Sequence, residues 1–168
     1  INVNAVELAR RAVLASYKDV LIAGDVGPLG VRLAPFGRVQ PDEARIVFRE
    51  QITALASAGI DLLIIETMTD LYELREAIWA ARDVDSDLPV VASMTFTRDD
   101  RTLLGDDPIK VARTLKDAGA SISATCADAE APASLTLSLQ TRGPDGKPGT
   151  REETVDARHV GVIVVDPW

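Results

Sequence analysis

Short apolar runs alternate along most of the chain with longer segments in which apolar residues recur at helical spacing. The runs cover residues 20–24, 61–66, 89–96 and 121–126. They are too short for helices and hold few polar residues, which is typical of strands buried on both faces of a parallel sheet. Because strands and helices alternate in this way, the sequence predicts consecutive βα units and an α/β fold.

The helical segments begin and end at recognisable residues. The first covers about residues 4–17, and the others are predicted to begin at Pro41, Asp70 and Asp107, where proline or an acidic residue suits the first turn. Gly59 and Gly119 follow two of these segments and are predicted to end them. The pattern fits two architectures, an open doubly wound sheet or part of an eightfold barrel. In both, the loops after the strands carry the function.

The pattern changes after Cys126. Residues 135–139 alternate between apolar and polar, residues 142–149 are rich in glycine and proline, and residues 160–165 form another apolar run. Alternation beside a Gly/Pro loop is typical of a hairpin rather than of a further βα unit. We therefore expect two parts, an α/β part over residues 1–126 and a divergent tail over residues 127–168 that forms a β-hairpin or an extended structure.

The composition narrows the range of partners. The 168 residues carry 18 Lys and Arg against 26 Asp and Glu, a formal net charge of −8, and 46% of them are hydrophobic. The hydrophobic fraction suffices for one buried core. The excess of acidic residues disfavours binding to nucleic acid or to an anionic membrane surface. With no apolar run of about 20 residues and no signal-peptide pattern, we expect a cytoplasmic protein. Because the first residue is Ile1 rather than methionine, we also expect a processed product or a fragment.

Four candidate functional residues stand at the ends of the predicted strands: Asp25, Glu66, Thr95 and Cys126. The carboxyl ends of parallel strands meet at one rim, where α/β proteins bind ligands, although aspartates there also serve turns and caps. Glu66 closes an apolar run, so its carboxylate needs a cationic or donor partner, either a protein side chain or the ammonium group of a ligand. A single cysteine is by itself more typical of a small buried apolar residue, and we interpret His159 in the tail as a surface residue. One cysteine and one histidine exclude an intrachain disulfide and disfavour a self-contained zinc site.

Three stretches of sequence resemble one known family. They are AGDVGPLG at residues 23–30, FREQ at residues 48–51 followed by AGIDLLIIETM at residues 58–68, and SMTF at residues 93–96 followed by RTLLG at residues 101–105. These stretches resemble the homocysteine S-methyltransferase family, which includes bacterial members fused to methylenetetrahydrofolate reductase. The resemblance covers about residues 1–126 and implies part of a (β/α)8 TIM-like barrel in an apparently truncated chain.

The resemblance also implies a chemistry. In that family a zinc ion held by three cysteine thiolates takes the homocysteine sulfur as its fourth ligand, which makes the sulfur nucleophilic toward a methyl donor. The resemblance implies Cys126 as one metal ligand, with Thr125 where the family usually has asparagine, and Glu66 as the acceptor of the substrate's amino group. We expect Asp25 to take part in substrate binding beside Glu66. The family's other two cysteines have no counterpart after Cys126, so we expect an incomplete zinc site in this chain.

Three hypotheses about function follow. The first is a homocysteine S-methyltransferase-like protein, related to zinc-dependent enzymes that transfer a methyl group to the homocysteine thiol and form methionine. Its expected partners are homocysteine and a methyl donor that the sequence leaves open. The second is a non-catalytic barrel fragment or subunit module, which pairs with itself as a homo-oligomer or with a complementing chain. The third is an unrelated α/β enzyme that uses Asp25 and Glu66 as acid and base.

Overall fold

The computed structural model describes residues 1–126, 135–142, 148–155 and 162–165, with side chains as far as Ser121. This part of the chain contains four helices: α1 (Asn2–Ser16), α2 (Pro41–Ser57), α3 (Leu71–Val84) and α4 (Pro108–Ala118). It also contains seven strands: β1 (Leu21–Val26), β2 (Leu62–Met68), β3 (Val90–Thr95), β4 (Ile122–Cys126), β5 (Leu135–Arg142), β6 (Pro148–Val155) and β7 (Val162–Val165). No helix among the described residues is long and apolar enough to cross a membrane.

Five of the strands form one parallel sheet in the order β4-β3-β2-β1-β7. From β1 to β4, each strand lies next to the strand that precedes it in the chain, and α2, α3 and α4 form the connections. The helices pack side by side, α1 against α2, α2 against α3 and α3 against α4, so they share one face of the sheet. A doubly wound sheet carries helices on both faces, whereas a barrel carries them only on its outside. The fold therefore confirms the predicted α/β class, and its one-sided helices favour the barrel over the doubly wound sheet.

The residues that were predicted to begin and end the helices do so in the structure. Asp70 caps α3, and Asp107 caps α4, each by accepting a first-turn backbone N–H at 2.8 Å. Gly59 and Gly119 follow α2 and α4 with φ angles of 84° and 99°, in the left-handed region that favours glycine. These ends were predictable because each depends on a residue within one turn of the helix.

The helices cover one face of the sheet, and the core lies between the two layers. Strand residues that face the helices are fully buried against apolar helix side chains; the set includes Leu63, Ile65, Val90, Ala92 and Met94 from strands and Phe48, Ile52, Leu74, Ile78 and Leu115 from helices. The alternate residues of β2 and β3 are half-buried or exposed, because successive strand side chains point to opposite faces. Gly24 brings β1 close to α2, since a Cβ there would lie 2.8 Å from Cδ1 of Ile60 and 3.2 Å from Cδ1 of Leu55.

The last three strands divide between two sheets. β5 and β6 pair antiparallel with each other over the whole of both strands. β7 joins the main sheet instead, parallel to β1, with Leu21 opposite Val162. The sequence analysis placed this apolar run in the appended tail, and its position as a fifth parallel strand was not predicted. Residues 127–134 and 143–147 and His159 lie outside the described residues, and the division of the chain at residue 126 stays a prediction.

Two arginines connect neighbouring helices through backbone carbonyls. Arg10 of α1 donates to the carbonyl oxygens of Ala58 and Gly59 beyond the end of α2, at 2.8 and 3.0 Å. Arg82 of α3 donates in the same way to the carbonyl oxygen of Gly119 beyond the end of α4, at 3.0 Å. The last carbonyls of a helix lack intrahelical partners, so a guanidinium there stabilises both the helix end and the packing of the pair.

Candidate functional site

The residues singled out from the sequence lie along one edge of the sheet. Asp25 is close to the end of β1, Glu66 lies in the last part of β2, and Thr95 and Cys126 end β3 and β4. Thr95 and Cys126 are register partners, and Asp25 lies opposite Ile64 of β2. The structure therefore brings the backbones of all four candidates to the carboxyl edge, where barrels of this kind bind their ligands.

Asp25 is a nearly buried carboxylate at this edge, with 4% of its surface exposed. Because Gly24 faces α2, the alternation of strand side chains directs Asp25 to the opposite face, which is the interior side of a barrel. Glu66 follows Ile64, the register partner of Asp25, by two residues, and the spacing of parallel strands places the Cα atoms of Asp25 and Glu66 roughly 8 Å apart. Two carboxylates on neighbouring strands suit a positively charged ligand group.

A β-bulge shapes the end of β2. Between Ile65 and Met68 the register with β3 shifts, because this stretch of β2 contains one residue more than the stretch that it faces. Thr67 in the bulge has a φ of 58°, a left-handed conformation that β-branched residues rarely adopt. As a result Glu66 and Thr67 are both exposed in succession, whereas regular alternation would bury one of them. The bulge thus presents a carboxylate and a hydroxyl side by side at the edge of the sheet.

Glu73, in the first turn of α3, is a functional candidate that the sequence analysis missed. It is 4% exposed, and its Oε1 accepts the backbone N–H of Leu29 in the loop after β1, at 2.7 Å. Burial raises the pKa of Glu73 above the ordinary 4.5; the Leu29 hydrogen bond opposes this rise, and the nearby charge of Asp70 adds to it. The spacing from Asp70 to Glu73 is that of a capping box, so the sequence alone favoured a local role for this side chain.

A cavity of about 260 Å³ lies among the loops that follow β1, β2 and β3. Its lining includes Arg32 and Phe36 from the first loop, Asp70 and Glu73 at the start of α3, and Leu103 from the third loop. The cavity combines both signs of charge with apolar surface, and its walls belong to the segments that follow Asp25 and Glu66 along the chain. A small amphiphilic molecule fits such a lining.

The described residues do not bring together a set of metal ligands. Among them, no group of three or more histidine, cysteine, aspartate or glutamate side chains is placed to hold a metal ion. For Cys126 the structure describes the backbone, which lies in β4 opposite Thr95. Its assignment as a zinc ligand stays a prediction, as do the assignments of Asp25 and Glu66 to substrate binding.

Comparison with known proteins agrees with this architecture. The sequence profile of the homocysteine S-methyltransferase family matches residues 1–157. The crystal structure of the homocysteine methyltransferase MmuM from Escherichia coli, in its apo form, is similar with a TM-score of 0.62 and 24% sequence identity. That similarity covers 74% of this chain and 47% of that one, so the chain spans about half the length of the enzyme. No curated protein sequence matches the chain.

The helices on one face of the parallel sheet and the structural similarity define the protein as part of a (β/α)8 barrel. The profile covers most of the chain, and the chain therefore belongs to the homocysteine S-methyltransferase family. The family match continues past residue 126, where the resemblance read from the motifs stops, and includes β5 and β6.

Proposed function

We propose that this chain binds homocysteine at the carboxyl edge of its sheet, as part of a protein that transfers a methyl group to the homocysteine thiol and forms methionine. The observation that carries the proposal is the pair of carboxylates on neighbouring strands, Asp25 and Glu66, in a chain of this family. A methyl donor is the second substrate, and its class stays open.

The two carboxylates have different roles in this proposal. Glu66 is exposed, so it is accessible to the ammonium group of an incoming amino acid. Asp25 is buried beside it, where its charge strengthens the attraction for that ammonium group because nearby water is scarce. The Thr67 hydroxyl, next to Glu66 on the bulge, is a further hydrogen-bond partner for the same end of the substrate.

Zinc, which the family resemblance implies, does not fit this chain alone. A site with three thiolates needs three cysteines, and the 168 residues contain only Cys126. The proposal therefore rests on recognition of the substrate by carboxylates and assigns no step to a metal.

Titration calorimetry with L-homocysteine tests the proposal. We expect Glu66→Gln to weaken homocysteine binding about ten- to hundredfold, the usual effect of losing a hydrogen bond to a charged group. Binding of 4-mercaptobutanoate, which lacks the amino group, should be equal in both proteins. Glu50→Gln, at an exposed position on α2, is the matched control and should bind homocysteine normally. If the unsubstituted chain does not bind homocysteine, or Glu66→Gln binds it equally well, the proposal is wrong.

The single cysteine favours a second candidate function, a barrel module without catalytic activity of its own. In this case two further copies or a complementing chain supply the two missing thiolates. Methyl transfer that occurs only after such a chain is added would support the module, whereas transfer by the isolated chain would exclude it.

A further inference from the structure

Glu73 makes a contact that joins two separate parts of the chain. It lies on α3, and its carboxylate accepts the N–H of Leu29, 44 residues earlier in the sequence, at 2.7 Å. Leu29 itself packs against the hydrophobic core. The hydrogen bond therefore fixes the first part of the β1–α2 loop, residues 27–40, at a point close to the sheet.

Local helix capping does not account for this contact. Glu43 occupies the same third position in α2, and it does close a capping box, accepting the N–H of Gln40 at 2.9 Å. Glu73 has the equivalent spacing from Asp70, yet its carboxylate turns to the loop instead. Burying a carboxylate is unfavourable unless its hydrogen bonds compensate. The geometry thus indicates a role in holding the loop.

The loop that Glu73 holds connects the candidate site to the cavity. Leu29 follows Asp25 by four residues, and Arg32 and Phe36, farther along the same loop, line the cavity together with Glu73. Asp70, which follows Glu66 by four residues, lines the same cavity. If Leu29 is displaced, we therefore expect two parts of the loop to move with it: the segment that directly follows β1, and the residues that line the cavity.

We propose that Glu73 is a positioning residue, whose carboxylate anchors the β1–α2 loop to α3 and thereby sets the shape of the ligand site beside Asp25 and Glu66. Its effect on homocysteine rests on the proposed function. Its effect on the loop does not, and the two are measured separately.

Hydrogen exchange at the Leu29 amide, followed by NMR, measures the anchor directly. Glu73→Ala should accelerate this exchange about tenfold or more, because the N–H loses its acceptor. Glu73→Gln keeps a carbonyl oxygen at the same place and should restore slow exchange. The amide of Leu63, which bonds to the Pro89 carbonyl oxygen within the sheet, should exchange equally in all these proteins.

Homocysteine affinity measures the consequence for the site. We expect affinity to fall severalfold in Glu73→Ala and to return in Glu73→Gln. Glu76→Ala is the matched control, because Glu76 is equally buried on α3 but pairs with Arg45 and Arg75, away from the loop; it should leave the Leu29 exchange unchanged. If Glu73→Ala does not fold, Glu73→Leu keeps most of the side-chain volume while removing the acceptor, and it should lower the affinity in the same way.

The outcomes separate the two proposals. Unchanged Leu29 exchange in Glu73→Ala overturns the anchor, and faster exchange with unchanged homocysteine affinity overturns the claim that the anchor sets the shape of the ligand site. The positioning role of Glu73 is supported if Glu73→Ala shows faster Leu29 exchange and weaker homocysteine binding, and if Glu73→Gln restores both properties. Faster exchange in a protein whose unsubstituted form does not bind homocysteine supports the anchor and overturns the proposed function.

Discussion

Thr67, at the carboxyl edge, has a left-handed backbone conformation with a φ of 58°. A left-handed conformation costs an ordinary side chain about 1–2 kcal/mol, and a β-branched one tolerates it least. Such strain persists where the surrounding structure enforces it, and it is frequent at functional sites. Here the register between β2 and β3 enforces it, and the result is the paired exposure of Glu66 and Thr67.

Replacing Thr67 by glycine should therefore relieve strain. We expect Thr67→Gly to raise the free energy of unfolding by up to about 1 kcal/mol, because the strain removed exceeds the entropy cost of glycine, roughly 0.5–1 kcal/mol. Urea denaturation measures this. Thr95→Gly, at an exposed position in β3 with ordinary strand geometry, should instead lower the free energy of unfolding by about 1 kcal/mol. Equal losses in the two variants would mean that Thr67 carries no strain.

The sequence revealed the candidate residues unevenly. Asp25 and Glu66 were found because each ends an apolar run, a pattern visible in a few consecutive residues. Thr67 was not found, because its exposure depends on a register with another strand. Glu73 was not found, because its hydrogen-bond partner lies 44 residues away and its spacing from Asp70 already had a local explanation.

At the scale of elements, the β1–α2 loop depends on a tight turn at Gly37. The N–H of Gly37 donates to the carbonyl oxygen of Leu33 at 2.8 Å. A Cβ on Gly37 would lie 1.8 Å from the carbonyl oxygen of Arg32, a backbone atom that no side-chain rotation can move aside. The turn therefore requires glycine for space.

Gly37→Ala should open this loop. We expect a loss of about 1–3 kcal/mol in the free energy of unfolding, the usual cost of forcing an atom into filled space, and faster tryptic cleavage at Arg32 and Arg38. Denaturation and limited proteolysis measure the two effects. Gly27→Ala in the same loop is the control, because nothing lies within 4 Å of its added Cβ, and it should cost less than about 0.5 kcal/mol. If Gly37→Ala has the same free energy of unfolding and the same cleavage rate as the unsubstituted protein, the close approach of Gly37 to the Arg32 carbonyl oxygen is contradicted.

The elements themselves were largely predictable, and their pairing was less so. Caps such as Asp70 and Asp107 determine where a helix begins to within one turn, so the positions of the helices were predicted correctly. The sequence of β7 is a short apolar run that could pair with any of several strands. Nothing near it in the sequence indicates that β1 is its neighbour in the sheet. Pairing between strands that are far apart in the sequence is the feature of the fold that a single sequence predicts least well.

At the scale of the whole molecule, the single cysteine limits metal binding. A site with three thiolates would require three copies of the chain, each contributing Cys126, so we expect at most about one zinc ion per three chains. Elemental analysis of the purified protein, with and without homocysteine, measures the content, and Cys126→Ser is the control. One zinc ion per chain that is lost in Cys126→Ser would contradict this expectation and would mean that other side chains complete the site.

The pairing of β7 with β1 also has a consequence for folding during synthesis of the chain. β1 ends at Val26, but its second neighbour begins only at Val162, so a ribosome must add most of the chain before that edge is covered. At ordinary synthesis rates this takes on the order of ten seconds. During that interval the apolar edge of β1 is open to pairing with other nascent chains. Yield of folded protein should therefore depend on how quickly translation reaches the last strand.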